Sequence, residues 1–326
     1  MAQWLYEVGI GESRAILVEA GTILEAAIEL PETVRTGAVV PARLATILIP
    51  GRRGLAALEG GTEALIEPLP NGLTEGASFH AEILREPIAE PGRPKRAKAR
   101  VTDAEPRPGP DLHERIGRPA PLPPHGPDLF EAAGWSELLD TAASGEIAFP
   151  GGALRMSMTP AMTLFDVDGR LDPAALAVAG ADAAARAIRR FGIGGSIGID
   201  LPTLAGRAER QAAAAAMDDS LPQPFERTAV NGFGFLQIVR RRARASIPEL
   251  LRADPAGAAA RALMRRAQRT QGLGPVALHA HPAVVDRIAA EADWIATLER
   301  AAGAPLVLRG EAGLAISAGH VHRAQS

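Results

Sequence analysis

Apolar and polar residues alternate from Tyr6 to Val8 and from Arg14 to Glu29, with a turn at Gly21-Thr22. An alternation of period two broken by a glycine turn is a hairpin signal. From 35 to 102 come short apolar runs split by glycine and proline: VVPARLATILI, GLAAL, EALIEPL, SFHAEIL and KARVT. Five such runs with turn signals between them predict a small β-barrel. From Asp103 to Pro127 eight prolines punctuate a polar stretch, which builds no core of its own and reads as a linker. After Leu129 the pattern changes to strands alternating with helices. FEAAGWSELLDTAAS predicts a helix, ALRMSM and MTLFDV strands, and Pro173 to Arg190 an amphipathic helix with proline in its first turn. GSIGIDL predicts a buried strand, Ala205 to Met217 a helix, PFERTAV and GFLQIVR strands, and Ala256 to Arg269 a helix. VALHAH, Pro282 to Ala302 and PLVLRG then predict strand, helix, strand. Repeated strand–helix–strand order implies a sheet covered by helices. The expected fold class is therefore α/β (α+β). A hairpin at 1–34 packs on the α/β domain, a small barrel spans 35–102, a proline-rich linker 103–128 and an α/β domain 129–326.

Composition narrows the chemistry. The 326 residues, 47% hydrophobic and 22% charged, suffice for two compact domains. The net charge of −3 argues mildly against a dedicated nucleic-acid binder, although charge distribution matters more than its sum. The absence of cysteine excludes disulfides, thiolate zinc sites and a cysteine nucleophile. The start, MAQWLYEVGIGESR, lacks a basic stretch followed by an apolar one, and no run of about 18 apolar residues occurs. The expected location is thus cytoplasmic, with no membrane partner.

Two aspartates follow apolar strands, Asp166 in MTLFDVDG and Asp200 in SIGIDL, with a helix between. In such a β-α-β unit parallel pairing brings both carboxylates near the carboxyl ends of the strands, where open α/β sheets bind ligands. Converging carboxylates repel unless a cation lies between them. Magnesium takes one or two carboxylates, keeps waters and engages phosphate. Against this, a strand-end aspartate is often a helix cap or turn residue, and Asp168-Gly169 is a good turn. On spacing alone both readings stand.

These residues resemble the ribonuclease E/G family. TLFDVDGR is similar to the family strand reading xxIDVNxG, and GIGGSIGIDL to its LGGxIVIDF strand, 200 − 166 = 34 residues on. VNGFGFLQIVRRR resembles the segment xSRFGLLExSRxR. VALHAHPAVVDRI resembles the strand and helix that close the catalytic domain, and PGGALRMSMTPAMTLFDVDG the approach to the first aspartate. The likeness covers roughly 145 to 310, with a fainter one over 1 to 102 to an N-terminal segment and an OB-type RNA-binding barrel ending in RAKARVT. The resemblance implies an OB-like barrel joined to a DNase I-like α/β catalytic domain. It implies a metal-dependent endoribonuclease that hydrolyses single-stranded RNA, with Asp166 and Asp200 catalytic and holding Mg2+ (or Mn2+). Asp168, where the family has asparagine, would be a third ligand or an orienting group. Arg240 and Arg242 fall on arginines that contact RNA backbone. Within RPKRAKAR, residues 93–100, Lys95, Arg96, Lys98 and Arg100 would grip RNA.

The chain departs from the family at several points. It lacks the cysteines of the zinc link, so neither zinc nor a zinc-linked dimer is expected, and 103–127 replaces the 5′-monophosphate sensor. Phe79 is the one aromatic between Arg35 and Thr102, so base stacking on the barrel is weak. These losses make a catalytically silent RNA-binding relative an alternative. A second alternative is a haloacid-dehalogenase-like phosphatase, whose DxDG signature LFDVDGRLDP resembles through Asp166 and Asp168. Arg170 stands where threonine is required, however, and no lysine follows Asp166. His279 and His281, on one strand face, offer too few ligands for a metal, and His320 and His322 read as a tail. FGIGG, residues 191–195, lies between helix and strand, the wrong place for a phosphate loop.

Overall fold

The structure, a computed structural model, describes residues 1–31, 33–90 and 94–324. The first 29 residues form a meander of three antiparallel strands, β1 (Gln3–Gly9), β2 (Glu12–Glu19) and β3 (Thr22–Glu29). The sequence signal for a hairpin thus extends to one more strand. At the β2–β3 turn Ala20 and Gly21 both have positive φ, 49° and 78°, the backbone of a two-residue turn that follows the right-handed strand twist. At the β1–β2 turn Gly11 has φ 79°, and a Cβ there would lie 2.2 Å from the Trp294 ring. Only glycine lets this turn seat on that indole.

Next come β4 (Val39–Ile49), β5 (Arg53–Leu58), β6 (Glu63–Ile66), β7 (Ser78–Arg85) and β8 (Ala97–Thr102). They close a barrel in the order β4-β5-β6-β8-β7, with β6 and β8 parallel and the other pairs antiparallel. This five-stranded closure is consistent with an OB-like barrel. Alanines fill much of its narrow interior: Ala42, Ala56, Ala64, Ala81, Ala97 and Ala99, beside Leu44, Ile66 and Ile83. Phe79 packs against that core.

The proline-rich stretch is docked rather than free. Its one-turn helix α1 (Leu112–Arg115) carries a capping box between Asp111 and Glu114 and buries Leu112 against the N-terminal sheet. The His113 ring stacks on Tyr6 at 4.6 Å, and the Leu122 N–H donates to the Tyr6 carbonyl. Arg107 also exchanges both backbone hydrogen bonds with Val39 of the barrel, and the prolines occupy positions that need no N–H partner.

The helix expected after residue 129 breaks at Gly134, whose φ is 92°, into α2 (Leu129–Ala132) and α3 (Trp135–Ser144). Then follow β9 (Glu146–Phe149), β10 (Gly152–Met158), β11 (Thr163–Gly169), α4 (Pro173–Arg190), β12 (Gly195–Asp200), α5 (Arg207–Ser220), β13 (Glu226–Arg227), β14 (Phe235–Arg240) and α6 (Ile247–Ala253). The strands form one mixed sheet in the order β13-β14-β12-β11-β10-β9, in which only β11 and β12 are parallel. The α4 crossover supplies that parallel step. Asp172 caps α4 by accepting from the Ala175 N–H, and Pro173 starts its first turn. Helix α4 lies between the six-stranded sheet and β3, and its buried residues are mostly alanine, with Gly180 against Val167. Small side chains let it pack closely against elements on both sides.

The remaining elements are α7 (Pro255–Arg269), β15 (Val276–Ala280), α8 (Pro282–Ala289), α9 (Ala292–Ala302), β16 (Leu306–Gly310) and β17 (His320–Arg323). Their sheet, β16-β15-β17, is separate from the six-stranded one and has its own core, which Ile10 of the N-terminal turn enters. From residue 129 onward the chain therefore builds two sheets, where the sequence pattern suggested one.

Charge buried under the N-terminal sheet joins these parts. Glu7 accepts from Arg14 at 3.0 Å and from Arg269 at 2.7 Å, and both arginines also face Asp128. Glu12 accepts from Arg261 at 3.0 Å and pairs with Arg265. Glu7, Glu12, Arg14, Arg261 and Arg265 are all buried. The Arg14 guanidinium lies 4.0 Å from the Phe130 ring centroid. Burial, then the nearby Arg265, lowers the Arg14 pKa, while Glu7 and Asp128 oppose that shift. Removing one member of a buried ion pair leaves an uncompensated charge and costs ~3–5 kcal/mol. Glu12→Gln is therefore expected to lower the unfolding free energy by about that much, read as a lower urea midpoint at unchanged slope.

Candidate functional site

Helices α3 and α4 cover one face of the six-stranded sheet, and the other face is open. The alternation of burial shows this directly: Phe165, Val167, Ile197 and Ile199 are buried, whereas Asp166, Asp168 and Asp200 are exposed. Because β11 and β12 are parallel with Asp166 opposite Asp200, the two carboxylates leave the same face from neighbouring strands, whose backbones lie ~4.8 Å apart. The register extends across five strands. Glu146 faces Arg155, Arg155 faces Asp166, Asp166 faces Asp200 and Asp200 faces Phe235. Arg155 bonds to Glu146 at 3.1 Å; that bond first, and Asp168 and Asp166 further off, raise its pKa. Among the described residues none of the three aspartates has a cationic side chain within 4.0 Å.

Asp168 lies on the same face two residues further along β11, opposite Ala153, about 7 Å beyond Asp166. The only group of three or more potential ligands among the described residues whose donor atoms all lie within 4.8 Å is His279, His320 and His322. The three aspartates thus stand on one face without closing into a single cage.

The expected RNA-gripping residues are placed less uniformly. A cleft of about 570 Å³ separates the barrel from the start of β11 and β12 and is lined by Lys95, Arg96, Arg242, Arg53, Arg85 and Arg252, with Glu90 and Glu249 as the acids. Ser196, at its edge, and Asp200 are four residues apart on β12, ~13 Å along the strand. Lys95 and Arg242 line this cleft but both bond to Glu90, and Arg242 also to Glu249. Arg96 pairs with Glu63 at 2.7 Å, Lys98 with Glu67 at 2.9 Å and Arg100 with Glu82 at 2.6 Å. Every basic barrel residue singled out from the sequence thus meets a glutamate, apart from Arg93, which lies outside the described residues. Arg240 falls on the helix-covered side of the sheet, since its neighbours on that phase of β14 are Leu236 and Ile238. It donates to the Ile193 carbonyl, and burial lowers its pKa. Arg240 and the aspartates therefore occupy opposite faces, a consequence of the two-residue strand period.

Two features escape a reading by motif. Arg85 and Arg252 line the cleft with no carboxylate within 4.0 Å among the described residues. Burial, and then Arg242, lowers the Arg85 pKa. On the open face Phe235 adjoins Asp200 and Val239 is 51% exposed, and Phe233, in the turn before β14, is 83% exposed. The alternation in GFGFLQIV carried the signal for the strand positions, but the facing partners are set by long-range pairing.

No protein-family model and no curated protein matches this chain. Among the described residues no helix is long and apolar enough to cross a membrane.

The Lys98 and Arg53 hydrogen bonds hold the Glu67 carboxyl down at about 2. A carboxyl depressed in the folded state stabilises above its ordinary range, and that contribution fades as pH falls through the folded value. Glu67 consequently screens Lys98 at any pH above roughly 4. The combined variant Glu63→Gln, Glu67→Gln, Glu82→Gln is expected to tighten binding to polyuridylate and steepen its salt dependence, each added phosphate contact contributing ~0.7 to the log–log slope. A fluorescence-anisotropy titration at several salt concentrations measures both.

Proposed function

We propose that the open sheet face is the catalytic surface of a metal-dependent endoribonuclease acting on single-stranded RNA, in a DNase I-like α/β domain served by an OB-like barrel. The observation that carries this reading is the in-register pair Asp166 and Asp200 on adjacent parallel strands. Two exposed, unpaired carboxylates with oxygen donors only suit Mg2+ or Mn2+, hard cations that keep several waters. Asp166 and Asp200 would hold the ion. It would supply charge neutralisation at a scissile phosphate and a lower pKa for attacking water.

The residues of the chain perform the remaining tasks. Asp168 orients water from its place further along β11. Arg155 lies beside Asp166 and favours negative charge on that face, as a phosphate requires. Phe233 and Phe235 offer flat apolar surface on which unpaired bases stack, at ~1–3 kcal/mol per base. The cationic cleft at the barrel holds the strand's phosphates upstream or downstream, with Arg85 and Arg252 contributing charge that forms no ion pair within 4.0 Å among the described residues. Arg242 acts there only when Glu90 and Glu249 release it.

The glutamate screening of the barrel favours one further reading, a catalytically silent RNA-binding relative in which the aspartate face is inert. The two separate cleanly. Asp166→Asn and Asp200→Asn keep side-chain shape and remove the charge that retains the ion. Each is expected to slow Mg2+-dependent cleavage of a labelled single-stranded RNA by roughly two orders of magnitude or more, since metal stabilisation is several kcal/mol and each factor of ten is ~1.4. RNA affinity should change little, and Asp168→Asn should be milder. Binding without cleavage by the unaltered protein, in Mg2+ and in Mn2+, would favour the silent reading.

A further inference from the structure

The small C-terminal sheet brings together three histidines that lie far apart in sequence. Antiparallel pairing of β15 and β17 sets His279 opposite His320, and His322 opposite Ala277. His279, His320 and His322 therefore emerge on one face. It is the face turned away from α7, α8 and α9, since the alternate residues Val276, Leu278 and Ala280 enter the core with those helices. The rings gather closely. His279 and His320 stack with centroids 4.7 Å apart, His279 and His322 lie at 5.0 Å, and His320 and His322 at 6.2 Å. One ligand atom from each falls within 4.8 Å of the others.

A fourth group completes the arrangement. The Glu311 N–H donates to the Ala280 carbonyl, fixing Glu311 just past the end of β16, and its carboxylate bonds to His279 Nδ1. An imidazole whose Nδ1–H is taken by a carboxylate keeps the Nε2 lone pair for a metal, and this carboxylate–histidine pairing accompanies metal-binding histidines generally. Arg309, the parallel partner of His279, stands beside the cluster, and Glu311 offsets it.

We infer that His279, His320 and His322 form a binding site for a divalent transition cation of the zinc class, with Glu311 orienting His279. Three imidazoles are the donor set such ions favour over magnesium or calcium. Tetrahedral bonds of ~2.0–2.1 Å require nitrogens about 3.4 Å apart, so the rings must draw in by up to ~1.4 Å, a movement open to the exposed His320 and His322. The fourth position is left for water or for Glu311. The site is independent of the aspartate face: it uses other elements and nitrogen in place of oxygen donors, and metal binding by imidazole weakens in acid. It also ties β17 to β15, so the ion stabilises the fold by binding only the folded state.

Co2+, which takes zinc sites and absorbs strongly in the visible when tetrahedral, tests this on the intact chain. Titration of metal-free protein should give the strong tetrahedral bands saturating at one equivalent, abolished by Zn2+ competition and raising the thermal midpoint. The double variant His320→Gln, His322→Gln should lose the bands and the thermal shift while keeping the circular dichroism of the parent. Glu311→Gln should bind ~10–100-fold more weakly. The control His125→Gln, and the pair Asp166→Asn and Asp200→Asn, should keep the bands. Absence of tetrahedral bands in the parent, or their survival in the double histidine variant, overturns the inference, whatever the outcome of RNA cleavage.

Discussion

Two glutamates buried under the N-terminal sheet, Glu7 and Glu12, decide how the molecule is assembled. Each accepts from two arginines, one carboxylate bridging Arg14 and Arg269 and the other Arg261 and Arg265. Arg261, Arg265 and Arg269 all belong to α7, and Arg14 reaches Asp128 and the Phe130 ring beside α3. A charge without a partner is intolerable at such burial, so β1, β2, α7 and the start of α2 are fixed relative to one another. Greasy packing alone tolerates sliding. Ion pairs at about 3 Å do not, and their value lies more in the arrangement they impose than in net stability, which desolvation largely cancels. The first strands thus join the core of the six-stranded sheet, through Ile16 and Ile23, to that of the C-terminal sheet, through Ile10.

On that frame the parallel step from β11 to β12 creates the chemical face. A crossover helix covers one side of the sheet and leaves the other open, and the in-register pairing sets Asp166 beside Asp200 in a row with Arg155 and Phe235. The barrel contributes a cationic cleft near the opposite end of the same strands. Its charge is tempered at nearly every position by glutamate, which fits a net charge of −3; under the proposed function, a grip on RNA would have to exchange internal ion pairs for phosphate contacts. Such an exchange gives modest affinity with marked salt sensitivity.

Much of this was legible in the sequence. The five short runs of the barrel, the capped helix from Pro173 to Arg190 and the strands carrying Asp166 and Asp200 follow from periodicity and turn residues, which act locally. What escaped depends on partners distant in sequence. EIAF, four residues long, is too short to show alternation, yet it forms the edge strand β9 because β10 pairs with it. HVHR reads as a tail until β15 draws it into a sheet, and with it appears the histidine cluster. Arg240 matches a motif position but has the wrong strand phase for the aspartate face. RPKRAKAR reads as a basic patch diluted by the nearby Glu82, Glu86 and Glu90, and Glu82 and Glu90 do pair with it; that Glu63 and Glu67 also meet it is set by the pairing of β6 with β8. The proline-rich stretch reads as a tether, yet it docks through Leu112 and Tyr6, through the backbone bridge between Val39 and Arg107, through the Leu122–Tyr6 backbone bond and through the Arg115–Glu29 pair.

The proposed function requires a divalent cation between Asp166 and Asp200, and the location of a redox-active substitute tests this most directly. Fe2+ replaces Mg2+ at oxygen sites and, with ascorbate and peroxide, cuts the polypeptide beside the bound ion. The account predicts fragments ending near Asp166 and near Asp200, suppressed by excess Mg2+ and absent from the double asparagine variant. Cleavage that spares both strands, or that persists unchanged when both aspartates are replaced, would contradict it.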